Sequence, residues 1–570
     1  GKKILSFFLF FRFPSFLRLS YFKPLNSYPP GNFSACLRMR ASRLWIGLDS
    51  LLCGNDGDNK LLKNRILLIY PPVTRPSEPP AGIARLAGSL RGSGVHVDVW
   101  DANLEGLLSA IMDPPGADDT WTRRATRDRE GHIAGLRSGL AFVHSDTYRR
   151  AIGDLQRLLA TISIHHKGWR PSLTDCSHDL LKPTSGADIS QAAANPSANP
   201  FFNWFSKEIT TKLEIGSYTH VGFSVNYLGQ ALTAAAMAGF VRGSDRSMGI
   251  IWGGGLVSSW LSRAGFENPL PGVVDRFVRG PGERALMAFL RIPERSTIKY
   301  DFTGFPVKNY LSPGFVLPVS LAAGCFWSKC SFCPETAERS GYRPIPPSDA
   351  VDLLGAMTSQ HGPAMVHLLD NAVSPAVLAE IAKRGIAFPW YGFTRFESAF
   401  TDKDFCLALA KAGCRMLQLG LESGDQTVLD SLGKGISLID ASLILRNLHE
   451  VGIGTYVYLL FGTPVENLES AKRTLAFVAK NANAIDFLNL AIFNLPIEAA
   501  ESSGLETFPF SEGDLSLYLD FRHPLGWDRK AVRSFLDREF RRHPSVSPIL
   551  KRDPPAFTSS HAPFFLCQFR

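Results

Sequence analysis

From Arg65 onward the chain repeats a single unit: a short apolar run, a stretch with helical apolar spacing, then another short apolar run. The first run, Arg65–Tyr70, is bounded by Pro71 and Pro72 and reads as a strand buried on both faces. Residues 79–91 carry helical spacing, and Val95–Trp100 is the next strand, which completes a β-α-β unit. The pattern resumes at Thr219–Ser224, followed by a helix over Gln230–Val241, a strand over Gly249–Trp252 and the triple glycine Gly253, Gly254 and Gly255. A last short strand, Asp275–Val278, leads through Gly280, Gly282 and Glu283 into a helix over Ala285–Leu290. Strands alternating with helices at these lengths predict an α/β domain with a doubly wound parallel sheet. Ligands of such sheets sit at the carboxyl ends of the strands. Those ends carry Ser224, Asn226, the glycines 253–255 and Glu283, and small residues there let a large flat group approach the backbone.

Immediately after the strand-like run Phe315–Leu321 comes a second constraint, three thiols within nine residues: Cys325, Cys330 and Cys333. Thiolates at close spacing select zinc or an iron–sulfur cluster. A closed zinc site takes four tetrahedral ligands, and the chain has no second Cys-x-x-Cys or His-x3-His pair, so zinc would have to recruit a distant residue such as His361 or His367. Nine cysteines in 570 residues is a sparse, odd number that speaks against a disulfide framework and for a reducing compartment. Three ligands leave one metal corner open, as a cluster needs in order to bind a substrate or cofactor. Cys406, Cys414 and Cys567 are isolated and read as buried thiols, the first two within a helical stretch.

A cysteine triad with an aromatic residue before its last member, placed after a strand, is similar to that of the radical S-adenosylmethionine (SAM) enzymes. Their usual first gap is three residues. Here it is four, Phe326 to Lys329, and the longer gap with Trp327 and Lys329 resembles the subset that also carries an N-terminal cobalamin-binding domain. The resemblance implies a partial (β/α)6 barrel over the strands Met365–Leu369, Phe388–Phe393, Met416–Gly420, Gly454–Phe461 and Ala484–Leu490. It further implies a [4Fe-4S] cluster on the three cysteines, Phe332 beside the adenine of SAM and Asp370 near its amino group. Arg395, Glu422 and Ser423 become candidate contacts to ribose or carboxylate. The first domain is then expected to bind cobalamin through Ser224, Asn226, Gly253, Gly254, Gly255 and Glu283. The loop 71–78 holds no histidine, so the lower face of the cobalt is expected to lack a protein imidazole from that position.

Length and composition agree with several domains. A chain of 570 residues exceeds one core, and 45% hydrophobic with 20% charged residues is an ordinary globular composition. The expected division is a basic, aromatic, disordered extension over 1–62, a Rossmann-like domain over 63–295 interrupted by an insertion at 107–215, the barrel over 296–509, and a C-terminal extension over 510–570. Within the insertion, residues 147–162 read as an amphipathic helix and 185–200 as an exposed loop. The extension at 510–570 is expected to cover the open side of the barrel and to carry a helix over 530–542.

Net charge is +9, but residues 1–48 hold eight Lys or Arg and no Asp or Glu, so the body is nearly neutral and a nucleic-acid partner is not expected. The apolar run Ile4–Phe11 is too short for a membrane helix, and cytoplasmic placement is the expectation. With Gly at position 1 and the first methionine at Met39, residues 1–38 are expected to be disordered or foreign to the natural protein. The resemblance implies reductive cleavage of SAM and methyl transfer to an unactivated carbon, or a related rearrangement, of a small-molecule or peptide substrate, with an electron donor such as flavodoxin or ferredoxin. Two alternatives stand beside it: a cobalamin-independent radical SAM enzyme with a degenerate first domain, and a non-catalytic zinc-binding interaction protein.

Overall fold

In the computed structural model, which describes residues 64–116, 119–263, 265–293, 299–338, 341–510, 513–556 and 561–567, the first apolar run forms strand β1, Arg65–Ile69. The expectations for residues 1–62 lie outside the described residues. With β2 (His96–Trp100), β3 (His220–Ser224), β4 (Gly249–Gly253) and β5 (Arg276–Phe277), β1 builds a parallel sheet in the order β2-β1-β3-β4-β5. This is a doubly wound order in which the chain reverses direction across β1 and β3, where a crevice opens at the strand ends.

Alternation along β1 sends its side chains to two different cores. Ile66 and Leu68 join a cluster that runs without a break into Leu317 and Val319 of the second domain, whereas Leu67 and Ile69 pack under the inserted helices. The helix Ala81–Gly92 presses so closely on the linker that a Cβ at Gly88 would lie 2.3 Å from the Lys299 carbonyl oxygen. Ion pairing of Arg91 with Asp301 (2.8 Å) fastens the same junction.

Six further strands, β6 (Val316–Val319), β7 (Met365–Leu368), β8 (Trp390–Thr394), β9 (Cys414–Glu422), β10 (Gly454–Phe461) and β11 (Phe487–Ile492), pair in parallel and in chain order. Helices between them cover the outside, as expected of a partial barrel. The lumen is lined by Val316, Met365, Tyr391, Phe393, Met416, Tyr456, Tyr458 and Phe487. Cys406 lies on the helix Lys403–Lys411 as expected, but Cys414 opens β9 and is buried in the strand.

The insertion departs from the sequence reading at 185–200, which is not an exposed loop. Gly186–Ala194 is a helix whose first turn is capped by Ser185, and Ile189, Ala192 and Ala193 are buried against the helix Leu228–Ser244. Small side chains allow that approach: a Cβ at Gly239 would lie 2.0 Å from the Ala193 carbonyl oxygen. The Ser/Ala/Asn/Pro composition that suggested a loop is in fact a capping residue followed by close-packing alanines. The neighbouring helix Ser145–Ala160 agrees with the amphipathic pattern.

At the C-terminal end, residues 561–567 close the barrel at the end where its strands begin. Phe565 fills the space against Gly454, and His561 stacks on Tyr456 at 4.4 Å. Rings of Phe142, Tyr148 and Phe564 meet at 5.1 Å and join this plug to the insertion. The helix predicted over 530–542 is α-helical over Arg529–Phe535 and widens to a π-turn over Leu536–Phe540. Among the described residues no helix is long and apolar enough to cross a membrane.

Candidate functional site

Leaving β6, the chain turns into the cysteine loop at the end of the barrel where its strands finish. Cys330 is buried, and Cys325 and Cys333 are half-buried. The four-residue first gap has a visible structural use. Trp327 lies against the turn 433–435, donating its indole N–H to the Gly433 carbonyl (2.8 Å), while Ser331 N–H donates to Leu432 (3.0 Å). Both glycines of that turn have φ of +65°, and a Cβ on Gly435 would lie 2.2 Å from the Trp327 ring. Only glycine satisfies both demands.

Burial pushes the Cys333 thiol up to about 12. It also pushes Cys330 upward, opposed by the charges of Lys434 and Arg395. A buried thiolate without a bound cation is unfavourable, so this donor set is one that a multivalent cluster would complete. Among the described residues, no group of three or more His, Cys, Asp or Glu is disposed to hold a single metal ion. Neither His361 nor His367 joins the cysteines in such a group: His367 is paired with Glu78 (2.9 Å), and His361 packs its ring against Phe302 and Phe315. A cubane cluster places each thiolate on a different iron and needs no such convergence.

Around the loop the structure gathers most of the polar residues expected there, in roles of its own. Asp370 is buried and its carboxylate accepts from Leu321 N–H (3.1 and 3.2 Å), which ties the end of β7 to the chain leaving β6. Burial raises its carboxyl to about 7. Glu422 ends β9 with φ of +69°, a strained backbone for a non-glycine residue, and pairs with Lys434 (2.9 Å). Lys434, which sequence reasoning missed, is 5% exposed and carries its ammonium 5.7 Å above the Phe332 ring. Ser423 is fully buried and accepts from Asp425 N–H (3.2 Å), so it organises the turn. Arg395 stacks its guanidinium over Trp327 at 4.1 Å and pairs with Glu397 at 2.9 Å.

A separate cleft enclosing about 700 Å³ of atom-free space, partly open to solvent, lies at the strand ends of the first sheet. Ser224, Asn226, Gly253, Gly254, Gly255 and Glu283 all line it, with Leu68, Ile83, Leu86 and Ile251 as its apolar floor. Asn226 is preorganised, accepting from Gly255 N–H (2.8 Å) and donating to the Ser224 hydroxyl (3.1 Å). Glu283 pairs with Arg85 at 2.5 Å. Gly254 stands at φ of +109°, with a Cβ position only 2.5 Å from the Val225 carbonyl oxygen, whereas a Cβ on Gly253 meets nothing closer than 3.7 Å. Gly254 thus lets the turn after β4 pack against the backbone of Val225, and Gly253 leaves open space beside it.

Between cleft and barrel, the loop that follows β1 enters the barrel lumen. Glu78 bonds His367, whose ring stacks on Tyr391 at 4.2 Å. Burial would push the Glu78 carboxyl up, but His367 and then Arg75 hold it below the usual range. Nothing in the sequence joins residues 289 positions apart, so this contact was not foreseeable.

Residues 319–478 match the profile of the radical SAM superfamily. Two curated relatives are the anaerobic magnesium-protoporphyrin IX monomethyl ester cyclase of Cereibacter sphaeroides and an uncharacterized methyltransferase of Pyrococcus horikoshii. The first is 27% identical over 29% of this chain and 29% of that protein; the second is 22% identical over 32% and 40%. The chain therefore spans under a third of the cyclase it matches. Among solved structures, the radical SAM methyltransferase TsrM of Kitasatospora setae, with cobalamin and a [4Fe-4S] cluster bound, aligns over 76% of each chain at 16% identity and a TM-score of 0.45.

Proposed function

We propose, from the match of residues 319–478 to the radical SAM superfamily, that the chain is a cobalamin-dependent radical SAM enzyme, transferring a methyl group to an unactivated carbon or carrying out a related radical rearrangement. The observation that supports this most is the pairing of two sites in one molecule with a continuous core: an open-cornered cysteine triad at the barrel mouth and a glycine-lined cleft at the strand ends of the first sheet. When bound, a [4Fe-4S] cluster with SAM supplies one-electron reductive cleavage of the sulfonium, and cobalamin supplies a methyl carrier.

The chain's own residues then have definite tasks. Cys325, Cys330 and Cys333 would hold the cluster by their thiolates. Asp370 holds the approach to the cysteine loop at its proper height through Leu321. Glu422 and Lys434 place a fixed ion pair beside Phe332, where a zwitterionic ligand and an adenine ring would lie. The apolar cluster of Leu460, Phe493, Leu495 and Phe521 beside Phe332 excludes water from that side. Substrate, small molecule or peptide, and a flavodoxin- or ferredoxin-like electron donor complete the proposal.

The test is anaerobic purification followed by iron, sulfide and corrinoid analysis. The expected result is about one cluster per chain, lost when any of the three cysteines becomes Ala, together with bound corrinoid that is lost in Gly253→Leu while iron is kept. Gly253 is the position to use, because a side chain at Gly254 would be strained by its own backbone. Stoichiometric zinc without iron would overturn the reading; iron without any corrinoid would leave a cobalamin-independent radical SAM enzyme.

A further inference from the structure

We propose that Arg395 is a positioning residue that donates to the Cys330 sulfur and thereby sets the reduction potential of the cluster, instead of contacting SAM. The inference rests on the reading above that the three cysteines hold an iron–sulfur cluster.

Arg395 is 5% exposed and its guanidinium is fixed from four directions. Its Nε donates to Glu397 (2.9 Å), one Nη2 hydrogen goes to the Lys434 carbonyl, and its face covers the Trp327 ring at 4.1 Å. With those three anchors made, Nη1 faces the Cys330 sulfur at 4.0 Å. The planar fork can satisfy all of these at once, which a lysine could not. Trp327 is itself held by Gly433 and by the space Gly435 leaves for it, so the enlarged first gap of the cysteine loop acts as the clamp that keeps the guanidinium in place. Lys434, the other cation close to Cys330, has its ammonium committed to Glu422. Donation of N–H to a cluster thiolate stabilises the more negative, reduced cluster and raises its potential.

The experiment is a redox titration of the reconstituted holoprotein, followed by electron paramagnetic resonance. Arg395→Met is expected to keep iron at the wild-type amount and to shift the one-electron equilibrium about tenfold toward the oxidised cluster, about 59 mV. Glu397→Gln removes the carboxylate that offsets the guanidinium while Trp327 and the Lys434 carbonyl still hold the arginine, so its potential is expected to move in the opposite direction. If Arg395→Met does not take up iron, the Glu397→Gln shift alone decides. Potentials unchanged in every variant that loads iron overturn the inference and leave the functional reading standing. A wild-type protein that takes up no cluster overturns both.

Discussion

Gly435 shows how much can depend on one missing methyl group. Its φ of +65° and the Trp327 ring 2.2 Å from its Cβ position each exclude a side chain. Gly452 separates the two causes, since it has φ of +77° but nothing within 4 Å. Both Gly→Ala changes carry the left-handed backbone penalty, about 1 kcal/mol, but only Gly435→Ala displaces Trp327 and with it the cysteine loop. Iron per chain after anaerobic reconstitution is expected to fall severalfold in Gly435→Ala and to stay at the wild-type level in Gly452→Ala. Equal iron in the two would mean that the docking of Trp327 does not shape the loop.

At the scale of an element, the turn after β10 is organised around a buried acid. Glu466 accepts from Gly462 N–H and from the Trp527 indole (3.0 Å), and burial raises its carboxyl to about 7. An acid with a raised folded-state pKa holds a proton that the unfolded chain has already released, so stability falls as pH rises from about 4.5, the ordinary value, through about 7. Glu466→Gln retains an acceptor oxygen and removes the charge. Its melting temperature is therefore expected to depend less on pH across that window than the wild type's, with the gain largest above pH 7. A pH profile parallel to the wild type's would show that Glu466 does not carry this part of the dependence.

The whole molecule is keyed together by the loop after β1, which carries Glu78 from the first sheet into the barrel lumen at His367. Glu78→Ala leaves that histidine without its buried partner and is expected to cost on the order of 3 kcal/mol at neutral pH. Because Glu78 titrates below its ordinary value in the folded protein, its contribution is fully present above the unfolded value and is lost as pH falls through the folded one. Chemical denaturation at pH 7 and in acid checks this: the difference between variant and wild type should shrink in acid. Since one apolar cluster runs from Ile66 to Ile549, unfolding is expected to couple the two domains.

Much of this was legible in the chain because its signals are local. Apolar runs of strand length bounded by Pro and Gly, with helical spacing between them, were enough for eleven parallel strands in two sheets, and the strand-end positions named the lining of the cleft from Ser224 to Glu283. Three cysteines at fixed spacing marked the loop that the structure places where the barrel strands finish. The stretch 185–200 was misread as an exposed loop because alanine-rich packing and loop composition look alike until a partner helix is present. Lys434, the clamp of Arg395 on Trp327, and the reach of Glu78 to His367 depend on which turns of the chain fold against each other across tens to hundreds of residues. Periodicity and spacing report a residue's own neighbourhood along the chain, so the sequence by itself determined the two sheets and the position of the cysteine triad. Only tertiary packing decided which charges and rings surround those cysteines.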